Sequence, residues 1–322
     1  MSDYLIELGR KEYVEFSQRI AGSFPKLTFG AFANRDLCNE LAYAGKDLFG
    51  DVIESMQALL IDPSVGLSAV DIARDDASTD HQNLVIGAAA ATAICASLFE
   101  SRTNPIGQTP FWLHMTPPGV AKASGIDIQY NNTTDVVLHT DWYCSNDEAY
   151  VPNRIGLFNL LVSYKRPGNF HWLPFSKWSE FTEFSKNDLL RSDISFELLP
   201  QLLVTKDGNS RFGEKYLRTG PIVKDGEAGP IYFLNGRIDR NGRNSTQTVA
   251  EFDRLRSALK ESYGRFEIAQ AERRLIVLNN LTCFHGRDRM EDPIPGAPVQ
   301  RAFLRFMDDT RVSFGKTQVF HD

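Results

Sequence analysis

The pattern of apolar and polar positions predicts helices in the first third of the chain. Residues 35–60 (RDLCNELAYAGKDLFGDVIESMQALL) have apolar side chains at helical spacing. The Ala-rich run at 84–99 (LVIGAAAATAICASLF) predicts a second helix. This run is too short to span a bilayer comfortably, so we expect it to pack inside the protein. Between the two, LSAVDIA at 68–74 predicts a short strand.

From about residue 106 the pattern changes to short strand-like runs separated by Gly, Pro and Asn turns. The runs are FWLHM, DVVLHTDW, IGLFNLLVSY, GPIYFL, RRLIVLNN and RAFLRFM. One helix, at 248–263, interrupts them. Helices followed by many short strands predict a mixed α/β, mainly β fold, with a double-sheet jelly roll or barrel and helices packed outside it.

We expect one domain over 1–322, with a helical part at about 1–105 and a jelly-roll core at about 106–310. The polar, glycine-rich stretch at about 205–230 is typical of a lid loop. Neither GxGxxG nor GxxxxGK[ST] occurs, so nothing supports a Rossmann or P-loop domain.

Charge and cysteine content narrow the function classes. The net charge of −6 argues against a nucleic-acid-binding surface. Charged residues near the start, in MSDYLIELGRKEYVEF, argue against a signal peptide, and no membrane span is expected, so we predict a cytoplasmic location. The four cysteines are widely spaced, which disfavours a disulfide framework or a cysteine zinc site.

The stretch VVLHTDWY places His139 and Asp141 at the end of a strand-forming run. Side chains two apart on a strand point to the same face. Such a pair suits a metal site, a hydrolytic pair or a plain hydrogen bond, and taken alone it decides nothing.

A second strand-like run ends in His285-Gly286-Arg287, and Arg301 and Arg305 follow in VQRAFLRFM. Residues 301, 303 and 305 share one strand face. A buried arginine needs an anion, because an unpaired buried charge costs several kcal/mol. Arg301 and Arg305 therefore indicate an anionic ligand.

His139, Asp141 and His285 form a two-histidine, one-carboxylate set, which is the donor set of non-heme Fe(II) oxygenases. Three ligands on one face leave room for a bidentate oxo acid and for dioxygen, and Arg301 can grip the far carboxylate of 2-oxoglutarate. A zinc hydrolase, a further option, would have no use for Arg301.

From about 35 to 310 the chain resembles the clavaminate synthase-like group of Fe(II)/2-oxoglutarate-dependent oxygenases, which includes the asparagine oxygenase and arginine 3-hydroxylase group of amino-acid hydroxylases. The matching stretches are LHTDW, PNRIGLFNLL, NNLTCFHGR and QRAFLRF. The resemblance implies a double-stranded β-helix (cupin-like) core. It also implies His139, Asp141 and His285 as Fe(II) ligands, Arg301 as the 2-oxoglutarate anchor and Arg305 as its helper.

Two positions depart from the family pattern or stay unassigned. The family favours Glu where this chain has Asp141, and a halogenase would have Gly or Ala there. The family also uses a Thr or Ser hydroxyl on 2-oxoglutarate, and we assign none in SYKRPGNFHW.

The resemblance also implies substrate residues: Gln108 and Asp239, with Asn131 or Asn132 at the polar end of the substrate. Turn residues are the alternative reading of Asp239 and of the two asparagines. His114 reads as a strand-core residue, and His171 and Trp172 are weaker candidates for lining the site.

We therefore expect an oxygenase that uses Fe(II), 2-oxoglutarate and dioxygen to hydroxylate a small, polar, free amino acid, with a basic one fitting Asp239 best. A desaturase or oxidative cyclase is the enzymatic alternative, and a metal- or small-molecule-binding protein is the non-enzymatic one. The oligomeric state stays open, with a homodimer as one option.

Overall fold

A computed structural model describes residues 4–75, 78–104, 107–116, 134–145, 147–198, 215–227 and 229–320. Within these ranges the chain is mixed α/β and mainly strand, as the sequence predicts.

The described helices are concentrated before residue 100. They are α1 (Arg10–Ser23), α2 (Arg35–Leu48), α3 (Gly50–Ile61), α4 (Asp80–Leu98), α5 (Phe181–Ser185), α6 (Asp188–Arg191) and α7 (Thr246–Glu261), with 3-10 turns at Phe29–Ala33 and Phe175–Lys177.

Twenty strands are described, most of them after residue 110. They are β1 (Leu5–Glu7), β2 (Leu67–Asp71), β3 (Trp112–Thr116), β4 (Val136–His139), β5 (Tyr143–Ser145), β6 (Glu148–Pro152), β7 (Arg154–Val162), β8 (Tyr164–Arg166), β9 (Asn169–Pro174), β10 (Ile194–Leu198), β11 (Lys215–Gly220), β12 (Val223–Gly226), β13 (Gly229–Tyr232), β14 (Arg237–Ile238), β15 (Phe266–Ala269), β16 (Arg274–Asn279), β17 (Cys283–Arg287), β18 (Glu291–Pro293), β19 (Arg301–Met307) and β20 (Arg311–Phe320).

Most of the described strands belong to three sheets. The first has the strand order β1-β2-β16-β7-β19-β3, the second β15-β9-β17-β4, and the third β14-β10-β11-β20-β6-β5. Apolar residues from the first two sheets form one buried cluster, among them Ile155, Ile276, Phe170 and Trp172. The two sheets therefore pack against each other through their apolar side chains, and the site lies in this layer.

The N-terminal helices cover the other face of the first sheet. Their apolar residues share a core with Phe158, Leu275 and Leu304 of that sheet. A capping box at Thr79 and Gln82 begins α4, which is the one helix in the described ranges long and apolar enough to cross a membrane. Most of its residues are buried within the fold, in agreement with the predicted internal packing.

Two secondary-structure predictions need correction. The predicted helix over 35–60 is two helices, because Phe49 leaves the helical conformation (φ −116°, ψ 18°). The predicted loop over 205–230 contains strands from residue 215 onwards, because β11 pairs with β10 and β20 and β12 pairs with β13. These ladder hydrogen bonds override the polar, glycine-rich local sequence. Residues 205–214 lie outside the described ranges, and the lid role stays a prediction.

Candidate metal centre

Strand pairing brings the two candidate histidine ligands together. His139, the last residue of β4, lies directly opposite His285 in the antiparallel β4–β17 pair. Their ring centroids are 4.3 Å apart. Gly286 permits this approach, because a Cβ there would collide with the carbonyl oxygen of Val136 on β4.

Asp141 completes the cluster two residues after His139. Its Oδ1 lies 3.5 Å from His139 Nε2 and 3.8 Å from His285 Nε2. One donor atom from each of the three residues lies within 4.8 Å of the other two. The His139 Nδ1–H donates to Val137 O at 2.9 Å, since a carbonyl can only accept, so the lone pair of Nε2 faces the cluster.

The protonation states of His285 and Asp141 favour metal binding. Burial and the neighbouring His139 lower the pKa of His285 to about 4, so its imidazole is neutral at pH 7. Burial alone would raise the pKa of Asp141, but the Arg305 guanidinium, followed by the close contacts with His139 and His285, lowers it well below the usual value. A neutral imidazole at His285 and an ionised carboxylate at Asp141 are ligand forms that bind Fe(II).

The main chain at Asp141 is fixed from two directions. Asn280, fully buried, accepts from Asp141 N and donates to Asp141 O, both at 2.9 Å. The buried Thr140 hydroxyl accepts from Leu234 N at 2.9 Å. The turn that carries the carboxylate is therefore tied to the segment that leads to His285.

Arg301 and Arg305 come from β19 and enter the same site. Arg305 forms an ion pair with Asp141, with Nη2 and Oδ2 2.6 Å apart. Arg301 is 5% exposed, and its guanidinium lies over the ring of Phe303 at 4.2 Å. The sequence prediction that residues 301, 303 and 305 share a face is thus confirmed, since all three line one cavity.

Two side-chain amides contact the Arg301 guanidinium. It donates to Asn159 Oδ1 at 3.0 Å and to Gln270 Oε1 at 3.2 Å. Burial, followed by the nearby positive charge of Arg287, lowers the pKa of Arg301 to about 9. Because a guanidinium keeps its proton at neutral pH, Arg301 is a buried cation held by two amides.

The cavity at the cluster is small, about 80 Å³. Its described lining residues are His114, Val136, His139, Asp141, Leu157, Phe170, Gln270, His285, Gly286, Arg287, Arg301, Phe303 and Arg305. A larger cavity of about 910 Å³, bounded by residues such as Phe175, Pro230 and Leu281, contains none of the cluster residues. The smaller cavity contains the buried titratable groups and the metal-donor set, so we take it as the candidate functional site.

Solved structures with the same fold were found by structural comparison. The non-heme iron oxygenase OrfP in complex with Fe and alpha-ketoglutaric acid has a TM-score of 0.65 at 14% identity, covering 94% of this chain and 93% of its own. Asparagine oxygenase in complex with Fe(II), 2S,3S-3-hydroxyasparagine and succinate has a TM-score of 0.64 at 13% identity, covering 97% and 93%. The chain has the fold of these iron oxygenases. No protein-family model matches it, and no curated protein matches it in sequence.

The predicted substrate residues differ in where they lie relative to the cavity. Asn131 and Asn132 lie outside the described residues. Gln108 is exposed, with its backbone at a positive φ of 54°. Asp239 is fully buried, accepts from Arg243 at 3.3 Å and is not in the described lining of the cavity. These roles stay predictions.

The sequence did not predict that several other residues lie at the cavity. His114 lines the cavity and stacks on Phe303 at 4.7 Å, although its sequence suggested only a strand core. Asn159 and Gln270 had no motif to mark them. Trp172 packs in the apolar cluster and His171 contacts Asp288 Oδ1 at 2.7 Å, and neither is among the described residues that line the cavity. The described lining contains no Ser or Thr hydroxyl.

Proposed function

We propose that this chain is an Fe(II)- and 2-oxoglutarate-dependent oxygenase that hydroxylates a small polar amino acid. The observation that carries the proposal is the His139–Asp141–His285 cluster beside the buried cation Arg301. The donor set suits Fe(II), and the cation suits a dicarboxylate. A zinc hydrolase would have no ligand for Arg301, so nothing would offset the free-energy cost of burying its charge.

The residues present fit Fe(II). His139, Asp141 and His285 would hold Fe(II) through two imidazoles and one carboxylate, a donor set that leaves coordination positions for an oxo acid and dioxygen. When bound, the iron supplies the activation of dioxygen. The overall reaction converts a substrate C–H, dioxygen and 2-oxoglutarate into a C–OH, carbon dioxide and succinate, which balances atoms and electrons.

The side chains of this chain bind 2-oxoglutarate, orient the groups of the site and exclude water from it. Arg301 binds the far carboxylate of 2-oxoglutarate, and its own orientation is set by Asn159 and Gln270. Arg305 holds the Asp141 carboxylate. Leu157, Phe170 and Phe303 make the cavity wall apolar, which keeps water from the reacting atoms.

The substrate is proposed to be a free amino acid, with a basic one favoured. The solved structures of the neighbours are complexes with 3-hydroxyasparagine and 3-hydroxyarginine. Asp239 supports a cationic substrate group, because its Oδ2 is buried with no hydrogen-bond partner among the described residues. Gln108 and Asn131 or Asn132 are proposed to contact the polar groups of the same substrate.

The first two sheets are proposed to form a double-stranded β-helix within a single domain over 1–322. The antiparallel pairing of β4, β17 and β9 and the shared apolar cluster support this assignment.

A panel of amino acids tests the proposal. Each is incubated with Fe(II), 2-oxoglutarate and air, and succinate release and product mass are measured. One amino acid should release succinate in step with the gain of one oxygen atom, and Arg301→Gln should abolish the release. Loss of two hydrogens instead would indicate a desaturase or cyclase. Binding without succinate release for any amino acid would indicate a binding protein.

A further inference from the structure

Asn159 and Gln270 contact a particular set of N–H groups on the Arg301 guanidinium. Asn159 Oδ1 accepts from Nε at 3.3 Å and from Nη2 at 3.0 Å, and Gln270 Oε1 accepts from Nη2 at 3.2 Å. A guanidinium has five N–H donors, and these three bonds use the one on Nε and the two on Nη2. The two donors on Nη1 have no acceptor among the described residues. Because Arg301 lines the cavity, Nη1 is the nitrogen left to bind a ligand there.

Each amide is held in this orientation by its own nitrogen. Asn159 Nδ2 donates to Ala271 O at 3.2 Å. Gln270 Nε2 donates to Pro167 O at 3.0 Å. A main-chain carbonyl only accepts, so each amide turns its NH2 group to that carbonyl and its oxygen to the arginine. Both side chains are buried, which shields these hydrogen bonds from water. The orientation of Arg301 therefore depends on two fixed amides.

The two amides are neutral, and this matters as much as their geometry. A carboxylate at either position could accept the same hydrogen bonds, but it would also form a buried ion pair with Arg301 and offset its charge. An amide orients the guanidinium and leaves its charge available to a ligand. The ring of Phe303, over which the guanidinium lies at 4.2 Å, is neutral too.

We propose that Asn159 and Gln270 are positioning residues that make the site selective for a dicarboxylate oxo acid, because they turn Nη1 of Arg301 towards the far carboxylate of 2-oxoglutarate and leave the charge available to it. This role rests on the proposed function. The far carboxylate binds through Nη1 and not through an Nη1–Nη2 fork, since Gln270 already accepts from Nη2.

A purely structural role for Asn159 is the competing explanation, since its amide also ties β7 to Ala271. The two roles differ in which ligands they affect. A residue that orients Arg301 and preserves its charge affects only ligands that have a far carboxylate. A structural tie affects every oxo acid that binds the iron to the same extent.

The test is calorimetric binding of oxo acids to the anaerobic Fe(II)-loaded protein. 2-Oxoglutarate is compared with 2-oxopentanoate, in which a methyl group replaces the far carboxylate. Asn159→Asp keeps an acceptor oxygen beside Arg301 and adds a negative charge. It should weaken 2-oxoglutarate binding about ten- to hundredfold. It should alter 2-oxopentanoate binding less than about twofold. If this variant does not fold, Gln270→Glu makes the same change at the second amide and should give the same result.

Asn279→Asp is the matched control. Asn279 also donates its amide to a carbonyl, Leu60 O at 3.3 Å, and it does not contact Arg301. This change should leave both affinities as they are. Equal weakening of both oxo acids by Asn159→Asp, or no weakening, would overturn the positioning role and leave the proposed function standing. Failure of the unsubstituted protein to bind 2-oxoglutarate would instead overturn the proposed function, and the positioning role with it.

Discussion

The side-chain amide of Asn280 brackets the main chain of Asp141, accepting from its N–H and donating to its carbonyl oxygen at 2.9 Å each. Asn280 also donates to Pro152 O at 3.0 Å. The residue lies between β16 and β17, five positions before His285. One amide therefore fixes the carboxylate ligand relative to the strand that carries the second histidine.

Replacing Asn280 with leucine should weaken both the metal site and the fold. The change removes three hydrogen bonds and leaves buried main-chain groups of Asp141 unsatisfied, at about 1–3 kcal/mol each. Metal affinity should fall about 10–100-fold, as for other groups that orient ligands. Urea unfolding and metal titration measure both. Asn279→Leu is the control, because Asn279 contacts Leu60 O and Leu281 N and does not touch Asp141.

Gly286→Ala should separate the two ligand strands. A Cβ there collides with Val136 O, so β4 must move away from β17 and carry His139 with it. Overpacking of this kind costs about 1–3 kcal/mol. We expect the free energy of metal binding to weaken by more than the free energy of unfolding decreases. Gly22→Ala, in α1, where a Cβ meets nothing within 4 Å, should leave the metal affinity unchanged and should not lower the stability, because alanine favours a helix by up to about 1 kcal/mol over glycine.

Arg305→Gln should make the protein more dependent on metal. Without Arg305 the buried Asp141 carboxylate has lost its cation, which costs about 3 kcal/mol or more in the metal-free protein. A bound divalent cation replaces that charge. The rise in melting temperature on adding Zn²⁺ or Fe(II) should therefore be larger for Arg305→Gln than for the unsubstituted protein. An equal or smaller rise would show that Arg305 does not compensate Asp141.

His114 should make the fold sensitive to mild acid. Burial, followed by Arg305 and Arg301, lowers the pKa of His114 to about 3. The unfolded chain takes up this proton near pH 6.5, so stability falls as pH drops below that value and continues to fall toward pH 3. His114→Phe keeps the stack on Phe303 and should lose about 1–2 kcal/mol less between pH 7 and pH 5.

Urea unfolding at the two pH values measures this difference. His81→Gln is the control, because His81 is an exposed histidine in the first turn of α4. A His114→Phe variant that loses as much stability in acid as the unsubstituted protein would contradict the assignment.

The cluster was predictable because its chemistry is local in sequence. His139 and Asp141 are two residues apart at a strand end, and His285 lies in another strand that the sequence predicts. The alternation of side chains along a strand placed Arg301, Phe303 and Arg305 together, which the structure confirms.

The groups that orient these residues were not predictable, because they come from distant strands. Asn159 on β7 and Gln270 after β15 meet Arg301 only through the order of strands in the sheets. Asn279 and Asn280 are adjacent. The sequence alone does not show that Asn280 is buried and binds the main chain of Asp141, while Asn279 accepts a hydrogen bond in the turn. β11 was missed because one of its two pairing partners, β20, lies about 100 residues away.

The most direct test of the metal centre is an anaerobic titration of the Fe(II)-loaded protein with 2-oxoglutarate, followed by visible absorption. A bidentate oxo acid on Fe(II) held by two histidines and a carboxylate gives a weak visible charge-transfer band. The band should appear with one equivalent of 2-oxoglutarate, disappear in His139→Ala and His285→Ala, and weaken in Arg301→Gln. A folded protein, loaded with iron by metal analysis, that shows no band would contradict the proposed oxygenase.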